Sequence, residues 1–105
     1  MQAIVYSEFG SPDVLHLEEI DEPVPKDREV LVRVRAAAAN PLDWHFIRGE
    51  PSVMRLMGKP KGRTPGVDLA GQVERVGAKV TEFRVGDEVF GSGRGAFAEY
   101  ACASV

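Results

Sequence analysis

Apolar and polar residues alternate in several short stretches of this chain, and a period of two residues is typical of β-strands. The alternation is clearest over 29–37, where three valines at every second position share one face and Leu31 lies on the other with two arginines. Further strands are predicted over 1–6, 14–20, 67–76, 88–91 and 96–103. Gly71 falls inside one of them, where a glycine often marks a bulge or a bend. Glycine and proline turns separate the segments, and many short strands of this kind favour a closed or partly open β-barrel.

The stretch 36–49, AAAANPLDWHFIRG, interrupts the strands, and the rest of the chain is organised around it. Its alanines either let a ligand or a second backbone approach closely or pack densely against a neighbouring helix. Asn40 suits the N-cap of a helix and Pro41 its first position, so a helix of about two turns is predicted over 41–48, with Gly49 ending it. Apolar residues give this helix a body (Leu42, Trp44, Phe46 and Ile47). Its tryptophan is expected in the core, and the alternative is a substrate wall. Residues 53–57 could form one further helical turn.

The composition is that of one domain without a strong charge. At 105 residues the chain has room for a single modest core, and 44% hydrophobic and 28% charged residues are ordinary for a globular protein. A net charge of −3 argues against nucleic-acid binding, which requires a basic face. No apolar run approaches the ~20 residues of a membrane span and no secretory signal is visible, so we expect a cytoplasmic protein without membrane partners. The only cysteine, Cys102, is expected to be a buried, unreactive thiol.

Four segments carry a resemblance to a known family, in this order: NPLDWHFIRG at 40–49, PGVDLAGQVERVG at 65–77, FRVGDEVFG at 83–91 and GAFAEYA at 95–101. With them the chain resembles the N-terminal, GroES-like catalytic domain of the medium-chain dehydrogenase/reductase superfamily, over nearly the whole of 1–105. NPLDW together with GVDLAG is similar to the zinc-independent quinone oxidoreductase branch, in which many members are called NAD(P)-dependent alcohol dehydrogenases. The resemblance implies a mainly β fold, a GroES-like, partly open β-barrel with one or two short helices.

The chain departs from the zinc-dependent branch at the metal ligands. Where those enzymes have a cysteine ligand this chain has Asn40, and where they have Gly-His-Glu it has Gly66-Val67-Asp68. Valine cannot bind a metal, and a catalytic zinc needs three protein ligands. The four-cysteine lobe that the family places after the Gly95 region is absent as well. The resemblance therefore implies an enzyme without catalytic or structural zinc.

The resemblance also implies a cofactor that this chain does not hold alone. Family members bind NADPH or NADH through a Rossmann domain with a Gly-x-Gly-x-x-Gly fingerprint. No such fingerprint is present here. The run GSGRG at 91–95 lacks the third glycine of the fingerprint, and it does not lie in a βαβ unit. We therefore expect a truncated form of a longer protein or the product of a split gene, inactive by itself, whose partner is the missing Rossmann domain. Apolar surface left uncovered in this way makes a homodimer a further expectation.

Four residues are site candidates within the resemblance. Asn40 falls where the family faces the nicotinamide, so it is expected to bind cofactor or substrate in addition to its N-cap role. His45 falls where zinc enzymes place a proton-relay histidine; it is the catalytic candidate and is expected to contact the cofactor ribose or the substrate, unless it is only a surface histidine. Asp43 and Asp68 are candidates for substrate binding. Their structural alternatives are a place at the helix N-terminus or a pair with Arg48 for Asp43, and a basic partner or backbone donors for Asp68.

The resemblance thus implies the substrate-side catalytic domain of a zinc-independent NAD(P)H-dependent oxidoreductase that passes hydride to a quinone, enone or carbonyl substrate. A basic loop follows the helix and is either solvated or close to an anionic ligand such as a cofactor phosphate (Arg55, Lys59, Lys61 and Arg63). The rival interpretation is a non-enzymatic binding module of the co-chaperonin type, which shares the barrel and is close to this length. The third interpretation is a regulatory protein derived from a degenerate half of a reductase.

Overall fold

Six strands and one α-helix make up the regular structure of residues 1–50, 56, 58 and 60–105, the part of the chain that our computed structural model describes. The strands are β1 (Gln2–Val5), β2 (His16–Glu19), β3 (Glu29–Ala38), β4 (Asp68–Val76), β5 (Glu88–Ser92) and β6 (Tyr100–Ser104). The helix is α1 (Pro41–Arg48), and a short 3₁₀ turn covers Pro12–Val14. Within these described ranges, no helix has the length and apolar character needed to cross a membrane.

The mainly β fold and the helix over 41–48 are confirmed, but two strands begin later than predicted. The strand expected over 14–20 begins at His16, because Leu15 N–H donates to the carbonyl of Pro12 (3.0 Å) and closes the 3₁₀ turn. The strand expected over 96–103 begins at Tyr100. Ahead of it, the N–H groups of residues 96 and 97 donate to the carbonyls of residues 66 and 65 instead of to a neighbouring strand. The turn proposed over 53–57 lies outside the described residues, apart from Leu56.

The strands form two antiparallel sheets that do not close into a barrel. One has the order β1-β2 and the other the order β5-β4-β3-β6, and an isolated bridge between Ala3 and Ala98 joins β1 to the segment before β6. The expected partly open form is therefore the one observed. Phe90, on the outer strand β5, is 90% exposed. Its ring is apolar surface of the kind on which the homodimer prediction depends, and that prediction remains to be tested.

The core forms around the first half of β3. Val30 and Val32 lie in a buried cluster with residues from β4, β6 and the segment before it (Leu69, Val73, Ala96 and Ala101). Leu31 is fully buried as well and pairs with Cys102 of β6. The burial predicted for Cys102 is confirmed, and it raises the pKa of the thiol. Because the thiolate is the reactive form, this environment disfavours reaction at Cys102.

An ion pair between the buried Glu29 and the exposed Arg94 fixes the start of β3. Glu29 is 7% exposed and accepts two hydrogen bonds from Nη2 of Arg94, at 2.9 and 3.0 Å. It also accepts one from the backbone N–H of Lys26 (2.9 Å). The Lys26 N–H and, after it, the Arg94 guanidinium lower the pKa of Glu29 below its ordinary value. The carboxylate thus ties the loop before β3 to the loop before β6.

Gly71 allows β4 to approach β3 closely. It pairs with Val34, beside a register shift between Val34 and Ala36. A Cβ atom at this position would lie 2.0 Å from the carbonyl oxygen of Arg33, which is backbone and cannot move aside. The irregularity predicted from this glycine is confirmed, and its physical cause is the contact between the two backbones.

Candidate functional site

The polar residues that follow β3 form the N-terminal cap of α1. Asn40 has an extended backbone (φ −142°, ψ 171°), and its Oδ1 accepts a hydrogen bond from the N–H of Leu42 at 3.0 Å. The N–H of Asn40 in turn donates to Oδ2 of Asp43 (3.0 Å), so that the two residues cap each other. At the other end, Gly49 adopts the left-handed conformation (φ 70°) that ends a helix. The N-cap prediction for Asn40 and the end at Gly49 are confirmed.

Asp68 is joined to this cap by the side-chain amide of Asn40. The Nδ2 group of Asn40 donates to Oδ2 of Asp68 at 2.8 Å. Asp68 is the first residue of β4 and pairs with Ala38, two residues before Asn40, so the antiparallel register brings the two side chains together. The expectation that Asp68 pairs with a basic residue or with backbone donors is wrong, because the neighbouring amide already supplies a donor.

The hydrogen bonds of Asn40 leave part of its amide available. An asparagine amide has two N–H donors and an oxygen with two lone pairs. The two bonds above use one N–H and one lone pair, and the residue is half-buried. One donor and one acceptor of this amide are therefore left for a ligand that offers both.

Asp43 is the buried member of the group. It is 3% exposed, and its Oδ1 has no hydrogen-bond partner among the residues that the structure describes. Its Oδ2 serves the cap, which is the structural alternative given for it above. The spacing Asn-x-x-Asp at 40–43 is the sequence signature that identifies this reciprocal cap, since it follows the capping-box pattern.

His45 stands apart from the network of Asn40, Asp43 and Asp68. Its side chain is 47% exposed, and its Nδ1 lies 3.6 Å from Oε2 of Glu50. Glu50 follows the end of α1, where its N–H donates to the carbonyl of His45 (2.9 Å). Sequence reasoning missed Glu50, because no motif relates a residue beyond the helix to this histidine. The exposed ring is therefore open to contact with a ligand or solvent.

Trp44 is exposed, so the prediction that it belongs to the core is wrong. Its exposed fraction is 42%, and that of Leu42 is 48%. The buried side of α1 is instead taken by Asp43 and Ile47. The Trp44 ring is nearly perpendicular to the His45 ring (72°, centroids 4.9 Å apart), and the Arg48 guanidinium lies over it, 4.3 Å from its centroid.

Two further features are the basic loop after α1 and the side chains that could hold a metal ion. Of the basic loop, Arg55 and Lys59 lie outside the described residues, while Lys61 and Arg63 are exposed. The backbone of Arg63 forms a bridge with Tyr6 through bonds of 2.9 and 3.0 Å. Across the part of the chain that the structure describes, no three His, Cys, Asp or Glu residues are grouped so that they could hold a metal ion.

The fold and the site can be compared with those of known proteins. The sequence model of one protein family, the alcohol dehydrogenase GroES-like domain, matches residues 26–105. A quinone oxidoreductase of Lama guanicoe is 42% identical over an alignment of 108 positions that covers 99% of this chain and 31% of the relative.

Solved structures give the same picture. The quinone oxidoreductase from Coxiella burnetii superposes with a TM-score of 0.86 at 32% identity, over 99% of this chain and 34% of its own. A mycobacterial protein complexed with NADPH superposes with a TM-score of 0.88 at 32% identity, over 100% of this chain and 32% of its own. The chain thus spans about a third of the length of the proteins to which it is similar.

Proposed function

Because this chain belongs to the family of alcohol dehydrogenase GroES-like domains, we propose that it is the substrate-side domain of an NADPH-dependent oxidoreductase that reduces quinones or related conjugated carbonyl compounds. The similarity to quinone oxidoreductases supports the reaction class, and the similarity to a protein complexed with NADPH supports the cofactor. The proposal concerns the longer protein, since the chain has the length of about a third of these relatives.

The observation that carries the proposal is the oriented amide of Asn40. Its bonds to Leu42 N–H and to Asp68 fix the amide at the junction of β3 and α1, with one donor and one acceptor left. We propose that this remaining pair binds the nicotinamide carboxamide or the substrate carbonyl. Asp68 and Asp43 would then act through Asn40, as residues that hold its side chain and backbone in place, and Asp43 and Asp68 need not contact the substrate themselves.

His45 is proposed to deliver the proton. When bound, the reduced nicotinamide supplies the hydride. Reduction of a quinone to a hydroquinone also consumes a proton, which His45 can pass to the substrate oxygen because its side chain is 47% exposed and an imidazole can act as a general acid. Glu50, 3.6 Å from Nδ1, is placed to stabilise the protonated ring.

We propose that this reaction needs no zinc bound to the chain. The argument rests on the donor set: the Asn40 amide donates to Asp68, and Val67 beside it has an apolar side chain. A catalytic zinc site is made of histidine, cysteine and carboxylate ligands. Activity that survives dialysis against a chelator is the expected result.

The experiment is a domain replacement. This chain is put in place of the equivalent domain of the Coxiella burnetii quinone oxidoreductase, and NADPH oxidation is followed with and without 1,4-benzoquinone. We expect quinone-dependent oxidation. In the same protein, His45→Ala should lower kcat by about a hundredfold and change the shape of its pH–rate profile.

The matched control is His16→Ala, because His16 is the other histidine of the chain, is exposed, and pairs only with Glu18 among described residues (3.0 Å). It should leave the profile unchanged. A replacement protein that binds NADPH and melts cooperatively but does not reduce the quinone would contradict the proposed function. An unchanged profile in His45→Ala would contradict the proton-transfer role alone.

A further inference from the structure

Trp44 is the largest side chain that α1 leaves open to solvent. It is the only tryptophan of the chain and is 42% exposed, while the acidic residue Asp43 before it is 3% exposed. An amphipathic helix ordinarily buries its aromatic residue and exposes its acid. Here the carboxylate of Asp43 accepts the capping bond from the N–H of Asn40 and is buried, while Trp44 is exposed.

The exposed ring is held in one orientation. The Arg48 guanidinium lies 4.3 Å from the ring centroid, as expected for residues four apart on a helix. The His45 ring meets it nearly at a right angle, with the centroids 4.9 Å apart. The cation covers one face of the indole, and the exposure of the residue leaves area for a second planar group. A ring that is already oriented loses little freedom when a ligand stacks on it.

Trp44 also lies beside His45, the residue proposed to deliver the proton. The two rings are in direct contact, with their centroids 4.9 Å apart. A flat molecule that reaches the imidazole of His45 therefore comes within stacking range of the indole.

We propose that Trp44 is the stacking surface for the conjugated ring of the substrate, and that it sets a preference for planar quinones over saturated ketones. This inference rests on the proposed function, since it assigns a residue to the substrate of that reaction. Offset stacking of aromatic groups adds to the free energy that burial alone provides. The residue contributes to binding and not to hydride or proton transfer.

The first test uses the chain by itself. Because Trp44 is the only tryptophan, the indole fluorescence of the chain reports this side chain alone. Titration with 1,4-naphthoquinone should quench it along a saturable curve, above the linear collisional quenching measured with N-acetyl-tryptophanamide, and cyclohexanone should not. Quenching that is linear and equal to that of the free indole would overturn the inference.

The second test uses the domain-replacement enzyme. Trp44→Leu should raise the KM for naphthoquinone about two- to tenfold, and Trp44→Phe, which keeps a flat ring, should raise it less. Leu42→Ala is the matched control, because Leu42 is 48% exposed and lies two residues away, on the other side of α1; it should leave KM unchanged.

The outcomes separate the inference from the proposed function. An active enzyme in which Trp44→Leu leaves the quinone KM unchanged contradicts stacking while the function stands. An inactive replacement enzyme contradicts the function, and the fluorescence titration of the chain still decides stacking. A rise in the KM for NADPH but not for the quinone would assign the indole to the nicotinamide and overturn the inference.

Discussion

The two halves of β3 belong to one strand but lie in opposite surroundings. Residues 29–32 are all buried, and β6 pairs with β3 only over this half and Arg33. Residues 36–38 are exposed alanines, paired with β4 alone. The first half is therefore fixed by neighbours on both sides, while the second half presents small side chains beside the polar cap of α1. One strand thus provides both the rigid support and the open surface that leads to the candidate site.

This difference shows where mutations should matter for stability and where for function. The alternative that the alanines pack densely against a neighbouring helix is not what the structure shows, since residues 36–39 are exposed. Their small size leaves space next to Asn40. We expect substitutions at residues 29–32 to cost more stability than substitutions at residues 36–40.

Leu31→Ala should have the largest effect. The side chain is fully buried on β3 and its removal leaves a cavity, so we expect a loss of about 2–5 kcal/mol in the free energy of unfolding. Urea denaturation followed by circular dichroism measures it. A loss below about 1 kcal/mol would mean that this half of the strand is not the rigid support described here.

Glu29→Gln should come next, with a loss of about 2 kcal/mol at neutral pH, because it removes a charged acceptor from the Arg94 and Lys26 donors. The pKa of Glu29 is lowered on folding. Its contribution is therefore complete above the ordinary carboxyl pKa near 4.5 and is lost as the pH falls from there through the lowered folded value.

The acid dependence provides the control for this prediction. The wild type should lose stability below about pH 4.5, and Glu29→Gln should lose less over the same range, as measured by melting temperature against pH. Parallel curves for the two proteins would show that the ion pair of Glu29 with Arg94 does not contribute to stability.

Asn40→Asp should have a smaller effect, about 1 kcal/mol, and of a different kind. The new carboxylate still accepts from the N–H of Leu42, but it faces the carboxylate of Asp68 in place of an amide donor 2.8 Å away. Thermal denaturation gives the cost. The exchanged pair Asn40→Asp with Asp68→Asn restores an amide between the two positions and should recover most of the stability; an additive result would contradict the coupling.

Ala37→Ser should have the smallest effect, within about 0.5 kcal/mol, since the residue is exposed and paired with β4 through its backbone. The same denaturation experiment measures it. A loss comparable to that of Leu31→Ala would remove the contrast between the two halves of the strand.

Local patterns predicted much of the fold. The alternation of valines identified β3, and the Asn-Pro pair with Gly49 gave the bounds of α1 as the structure has them. The position of Trp44 was not predictable in this way. The apolar residues of α1 fall at 42, 44, 46 and 47, a spacing that defines no single helical face, so the sequence does not say which side is buried.

The site was predictable as a set of residues but not as a set of contacts. The resemblance singled out Asn40, Asp43 and Asp68, and the spacing of the first two is that of a local cap. The bond from Asn40 to Asp68 joins residues 28 positions apart. It depends on how β3 and β4 pair, which no short sequence pattern specifies. The ring contacts of Trp44 with Arg48 and His45 likewise require the helix to be placed first.

The bond between Asn40 and Asp68 also has a consequence for folding. Successive side chains of a strand point to opposite faces, so a slip of one residue between β3 and β4 would turn Asp68 away from Asn40. Only the native pairing lets the cap of α1 and the first residue of β4 meet at 2.8 Å. The bond therefore forms only when β3 and β4 pair in the native register. A chain in which β3 and β4 pair in a shifted register would lack this bond. Its helix α1 would keep the cap formed by Asn40 and Asp43 but would have no hydrogen bond to β4.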